Sequence, residues 1–159
     1  MAAYIKFDGV DGEAKDKAHK GWSDLFSVSQ VVHRAGGGAT GAQRRRGNAE
    51  VEDIRCTKLL DKSSNTIAES VLLGKVYPKV EIEITADTQG SGRETYFKYE
   101  LKNVMVTSFS ISGGANDKPS EDFSLNFEEI KVTYTPVDEK GAKGSKVEYG
   151  WKVEEGEKA

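Results

Sequence analysis

The stretch from Val80 to Ala86 alternates apolar and polar residues with a period of two through Ile84. Successive side chains of a β-strand point to opposite faces, so this pattern predicts a strand with one buried face and one face in water. A helix of the same sequence would mix glutamate and isoleucine on every side. This segment therefore requires a sheet that buries one of its two faces.

The same alternation recurs along most of the chain. It is present in 97–101, 104–111, 123–134 and 147–153, and Ile5 and Phe7 share a parity near the start. Trp22 to Val32 is a candidate for one longer strand. Within 123–134 the parity of the apolar residues changes at Glu128–Glu129, which predicts a β-bulge or bend there.

One segment has a helical period instead. Thr66 and Glu69 have the spacing of a capping box, and an apolar stripe follows from Ile67, Ala68, Val71 and Leu72. Gly74 is a natural helix stop because glycine readily takes the left-handed conformation. We predict a helix over about residues 64–74 that docks its stripe on the sheet.

These elements predict a mainly β fold, a small closed or nearly closed antiparallel β-barrel with one short flanking α-helix. Closure is the usual way in which such a sheet removes its exposed edges. We expect residues 1–159 to form a single domain, with an extended loop at 36–50 and a charged tail at 154–159.

Composition excludes several classes of protein. A single cysteine, Cys56, allows no disulfide framework and no zinc-binding spacing, and we expect it to pack as a small strand residue. No apolar run approaches the roughly 20 residues of a membrane span. The N-terminal residues lack the pattern of a signal peptide. We therefore expect synthesis in the cytoplasm, and any export to proceed without a cleaved leader.

Nothing in the sequence indicates catalysis. Gly36 to Gly41 matches a dinucleotide-binding glycine pattern, but no apolar helical stripe follows it, so we expect a loop. His19 and His33 are the only histidines, and neither lies near an evident nucleophile. We expect both on exposed loops or strand ends. The chain is predicted to have no catalytic residue, no metal and no cofactor.

Three consecutive arginines, Arg44, Arg45 and Arg46, stand out in a chain of net charge −3. They could hold phosphate or nucleic acid, but no aromatic residues are interleaved with them. Arginine is well suited to bind carboxylates, so we favour a loop that contacts a protein partner and expect no nucleic acid.

In several ordered stretches the chain resembles the hemolysin-coregulated protein (Hcp) family, the inner-tube component of bacterial type VI secretion. The resemblance runs almost from end to end. It lies in Gly9–Asp16 with His19, Thr57–Ser64 leading to Gly74–Pro78, Tyr99–Ser108, Phe123–Tyr134 and Tyr149–Val153.

The resemblance implies a hexameric ring with an open central channel. Such rings stack into a tube inside a contractile sheath, carry a spike protein at the tip and are expelled from the cell. Small effector proteins can travel in the channel. The expected location is therefore the bacterial cytoplasm, followed by secretion, and the expected partners are further copies of the chain, the spike, the sheath and effectors.

The resemblance also indicates particular residues. The family's channel-facing strand resembles Trp22 to Val31, which makes Ser27 and Ser29 candidates for contact with cargo. Gln30–Val31 departs from the aromatic and glycine that many members carry there, and an ordinary strand serine remains an equal alternative. The loop 36–50 resembles the segment that reaches toward the next ring, so Arg44, Arg45 and Arg46 are candidates for stacking contacts.

A second hypothesis is a monomeric β-barrel or sandwich that binds a small ligand or carbohydrate. It predicts a concave pocket lined by aromatic side chains. Trp22 and Trp151 could line one, although their strand settings favour the core. Oligomeric state separates the two hypotheses.

Overall fold

Eleven β-strands and one α-helix make up most of the regular structure in this computed structural model, which describes residues 1–35, 48–90 and 92–159. The strands are β1 (Ala2–Phe7), β2 (Ser23–Leu25), β3 (Ser27–Ser29), β4 (Val32–Arg34), β5 (Ala49–Val51), β6 (Ile54–Leu59), β7 (Val76–Thr88), β8 (Gly92–Ser112), β9 (Ser120–Tyr134), β10 (Val147–Lys152) and β11 (Glu157–Lys158). The helix α1 spans Ser64–Leu73, and a single 3-10 turn covers Lys17–His19.

Nine strands form one antiparallel sheet. Seven of them follow the order β11-β10-β9-β8-β7-β1-β2, and the other two are β3 and β6. The long strand β9 also pairs with β6, and β6 pairs with β3. Because β9 uses its second half for β10 and its first half for β6, the sheet branches and curls around one core. The terminal strands β11 and β2 are not bonded to each other, so the barrel is not fully closed. It is nearly closed, which agrees with the fold predicted from the sequence. Strands β4 and β5 form a separate hairpin.

The helix lies close to its predicted place. Gly74 takes a left-handed conformation with φ of 63° and donates its N–H to the Ser70 carbonyl, which ends α1 as expected. The capping box at Thr66 is wrong, because Ser63 is the N-cap. Leu72 was placed on the docking stripe but is 87% exposed, whereas Ile67 is fully buried. None of the helices in the described part of the chain is long and apolar enough to cross a bilayer.

The core fills the interior of the sheet. Its fully buried members include Ile67 of α1 and, from β6, β7, β8 and β9, Ile54, Val80, Ile82, Leu101, Val104 and Leu125. Cys56 lies among them at 2% exposure, and burial raises the pKa of its thiol. It therefore packs as a small apolar residue, as predicted.

On both β8 and β9 the buried residues change from odd-numbered to even-numbered positions, and the two changes lie side by side in the sheet. Asn103 on β8 has a positive φ of 51°, and its side-chain amide donates to Glu128 Oε2 at 2.7 Å. The pairing register is the same on either side, at Lys102↔Glu129 and Val104↔Phe127. The predicted reversal is thus present as a bend shared by two strands. The shifted register between these strands lies elsewhere, between Val106 and Ser108.

Candidate functional site

Ser27 and Ser29 lie exposed on the short strand β3. The prediction of one long strand from Trp22 to Val32 is wrong, because the chain bends at Phe26 and changes partners. Strand β2 pairs with β1, whereas β3 pairs with β6. The bend also changes which parity faces water, since Leu25 is buried and Ser27 is not. Both candidate serines are therefore turned outward.

Four neighbouring strands continue the surface that these serines begin. The order is β3, β6, β9 and β8, and the cross-strand registers place the outward residues in two rows. One row is Ser27, Thr57, Asp122 and Ser110, and the other is Ser29, Arg55, Ser124 and Ser108. We call these eight residues the hydroxyl face. Six of the eight carry a hydroxyl group, and Arg55 is the one basic member. Ser124 is only 8% exposed, and its hydroxyl is hydrogen-bonded to those of Thr107 and Ser108.

Hydrogen bonds within and beside the hydroxyl face fix its acidic groups. Thr57 donates to Asp122 Oδ1 at 2.5 Å. At one end of the face, Asp53 accepts hydrogen bonds from the Thr107 hydroxyl at 2.8 Å and from the Asn126 amide at 3.0 Å. The carboxylates thus have ordered neutral donors, and the surface is polar and suited to contact with water.

The reverse side of the same strands is apolar. Ile54, Cys56, Phe123 and Leu125 point inward and are at most 2% exposed. One face of this sheet therefore belongs to the core, and the other is covered by hydroxyl groups.

The sheet that carries the hydroxyl face has two open edges. In the described part of the chain, β3 is bonded on one side only, to β6. Strand β8 loses its partner β7 beyond Met105, so among the described strands Val106 to Ser112 is bonded only to β9. Since each of the three strand pairs is antiparallel, β3 and β8 run in opposite directions at the two edges.

His19 is not on an exposed loop, as the sequence suggested, but is 3% exposed. Its Nδ1 lies 2.6 Å from Asp16 Oδ2 and its Nε2 lies 2.6 Å from Glu83 Oε2. The ring stacks on Tyr4 with a centroid separation of 4.1 Å. The hydrogen bond with His19 is the main reason why the pKa of Asp16 lies below its ordinary value. The cluster fastens the segment between β1 and β2 to β7.

His33 is exposed as predicted, with 45% of its side chain accessible. It lies on β4, and its Nε2 is 3.1 Å from Glu50 Oε2 on β5. The hairpin of β4 and β5 thus forms the base of the predicted loop 36–50, whose last residues are in a strand. Arg44, Arg45 and Arg46 lie outside the described residues.

A cleft of about 390 Å³ separates the β4–β5 hairpin from β9 and β10. Its walls include Val32, Val51, Ile130, Tyr149 and Trp151. Trp22 does not line it and instead packs edge-on against His19 at 5.0 Å. The two tryptophans therefore do not share this cleft, whose aromatic residues are Tyr149 and Trp151. Among residues 1–35, 48–90 and 92–159, no cluster of three or more metal-ligating side chains could hold a metal.

Comparisons with known proteins give one consistent result. A family model described as "Type VI secretion system effector, Hcp" matches residues 4–134. Protein hcp1 of Pseudomonas aeruginosa is 35% identical over 152 residues, which cover 94% of this chain and 93% of that protein. A solved type six secretion system protein superposes with a TM-score of 0.90 at 30% identity, covering 99% of both chains. Hcp1 from Salmonella typhimurium shares the fold at 21% identity, with a TM-score of 0.80 and coverage of 99% of this chain and 98% of that one.

Proposed function

This chain belongs to the Hcp family of type VI secretion proteins, and we propose that it acts as the ring-forming structural subunit of the secretion tube. The hydroxyl face is the observation that carries this proposal. A sheet with core on one side and six hydroxyl-bearing residues on the other is suited to line a water-filled channel. The barrel interior is filled by side chains, so a channel has to arise between copies of the chain.

The two open edges give a way to build such a channel. An unpaired strand edge exposes rows of N–H and C=O groups that favour pairing with another chain. Because β3 and β8 run in opposite directions, the β3 edge of one copy and the β8 edge of the next can pair antiparallel. A head-to-tail contact of this kind closes into a ring when the rotation from one copy to the next is a whole fraction of a full turn. Six copies is the number that the family resemblance implies.

In this ring Ser27 and Ser29 face the channel and contact cargo. Both are exposed on the hydroxyl face, where hydroxyl groups of neighbouring strands extend the polar surface around them. Small effector proteins held in the channel would contact this wall. The cargo site is therefore a shared surface and not a pocket, and it requires no cofactor or catalytic group.

Rings stack through the loop 36–50, with Arg44, Arg45 and Arg46 placed against carboxylates of the adjacent ring. Exposed ion pairs are individually weak and are screened by salt. Sedimentation should therefore show shorter stacks at high ionic strength and in a triple Arg→Glu variant. Unchanged stacking in both experiments would remove the arginines from this role.

The completed tube carries a spike protein at its tip and lies inside a contractile sheath. The chain is made in the bacterial cytoplasm and leaves with the tube. In a strain with an active type VI machine, the protein should appear in the culture medium, and inactivating the sheath should abolish that release. Release that is independent of the machine would contradict the proposal.

A further inference from the structure

Apolar side chains lie uncovered behind both open edges of the sheet. On β8, Phe109 and Ile111 have the parity that faces the core, because they pair with the inward Phe123 and Glu121 of β9. Yet Ile111 is 53% exposed, and Phe109 is only partly buried against the core. The sheet stops beside these residues, so in the described part of the chain Phe109 is covered only in part and Ile111 remains largely exposed.

The β3 edge has a matching pair. Val28 on β3 points away from the hydroxyl face and packs partly on the core. Phe26 precedes it by two residues, and its backbone N–H donates to the Thr57 carbonyl at 2.8 Å, so it still belongs to the same sheet edge. Its ring is nevertheless 67% exposed.

The two pairs have complementary positions. Each consists of side chains two residues apart at an edge of the sheet. Val28, Phe109 and Ile111 have the parity of its core side, and Phe26 lies at the bend directly before β3. In antiparallel pairing, residues on the same face of adjacent strands contact one another across the ladder. Bringing the two edges together would therefore bury both pairs at once and continue the core from one copy into the next.

We propose that Phe26 and Val28 of one copy pack against Phe109 and Ile111 of the neighbouring copy, forming an apolar seam behind the paired edges. The proposal rests on the ring proposed above and adds which side chains hold it together. The contact is head-to-tail, since the two pairs are different surfaces of the same chain. Aromatic side chains such as those of Phe26 and Phe109 are also enriched at the buried centre of protein interfaces.

The seam is tested by placing a charge on each side of it separately. Phe26→Asp and Ile111→Asp change side chains that are exposed in the single chain, so both variants should keep a wild-type circular dichroism spectrum. Each should raise the dissociation constant between neighbouring copies at least about a hundredfold, because a carboxylate would be buried against apolar groups. Native mass spectrometry should then show the single 17.4 kDa chain. Val147→Asp is the matched control, since Val147 is 66% exposed on β10, and it should keep the wild-type mass.

Hydrogen exchange gives an independent reading. The amides of β3 and of 106–112 should be protected in the wild-type assembly and should exchange faster in Ile111→Asp. If either charged variant keeps the wild-type ring, the seam is wrong while the ring itself stands. If the wild-type protein is monomeric, the proposed function fails, and that result is distinct from a failure of the seam alone.

Discussion

Lys58 and Glu121 face each other across β6 and β9 inside the barrel, and neither side chain is exposed to solvent. The ammonium Nζ lies 2.5 Å from Glu121 Oε1 as an ion pair without hydrogen-bond geometry. Lys58 also donates to Asp61 Oδ1 at 2.8 Å and to the Ser64 hydroxyl at 3.2 Å. One buried cation thus connects the sheet behind the hydroxyl face to the start of α1.

Removing the cation should destabilise the protein strongly. Lys58→Met leaves the buried Glu121 carboxylate without its partner, and breaking such a pair typically costs about 3–5 kcal/mol. Urea denaturation of the dissociated chain measures this loss. Lys131→Met is the control, because its partner Glu148 lies 3.5 Å away and both side chains are 50% exposed, so it should cost less than about 1 kcal/mol. Equal losses in the two variants would show that the buried pair has no special role.

Acid should weaken the same junction. Burial opposes ionisation of Asp61, but hydrogen bonds from Lys58 and Ser63 outweigh it and hold the pKa of Asp61 below its ordinary value of 3.8. A carboxylate with a lowered pKa stabilises the fold above its unfolded pKa, and this stability is lost as pH falls through the folded value. The free energy of unfolding should therefore drop from roughly pH 5 downward. In Asp61→Asn the drop should be smaller, and parallel pH profiles would contradict this assignment.

The His19 cluster should stabilise the segment between β1 and β2. His19→Gln removes the bridge from Asp16 to Glu83 and the stacking on Tyr4, at an expected cost of about 1–3 kcal/mol. Hydrogen exchange should show faster opening of residues 8–22 in particular. His33→Gln is the matched control on an exposed histidine and should change stability by about 0.5 kcal/mol or less. If both variants open the segment equally, the bridge does not hold it.

Local patterns predicted the elements of this fold well. The period of two located β7, β8, β9 and β10, and Gly74 located the end of α1. Both signals depend only on residues that are close together in the sequence. Contacts between distant residues were not predictable in this way. His19 and Glu83 are 64 positions apart, and a lone histidine between lysines gives no indication of a partner on β7.

The candidate site was predicted only in part. Ser27 and Ser29 came from the family resemblance, while the rest of the hydroxyl face depends on the registers of β6, β9 and β8. The sequence does hold one usable indication of these registers. Lys58 and Glu121 occupy inward parities next to Cys56 and Phe123, and opposite charges at inward positions of two strands indicate that those strands pair.

Changing the channel-facing serines should alter cargo binding without altering assembly. Ser27→Arg and Ser29→Arg each add bulk and charge to the hydroxyl face but leave the core untouched. We expect wild-type native mass together with weaker retention of a co-produced small effector on affinity-purified rings. Thr133→Arg is the control, since Thr133 lies on β9 outside the hydroxyl face. Unchanged retention in both serine variants would mean that these serines are ordinary strand residues.

Whether this chain forms a ring is decided by the native mass of the purified protein, together with negative-stain images of the same sample. We predict a closed ring with a central hole and a mass of about 104 kDa, six copies of the 17.4 kDa chain. A monomer at high protein concentration, with no rings in the images, would contradict it.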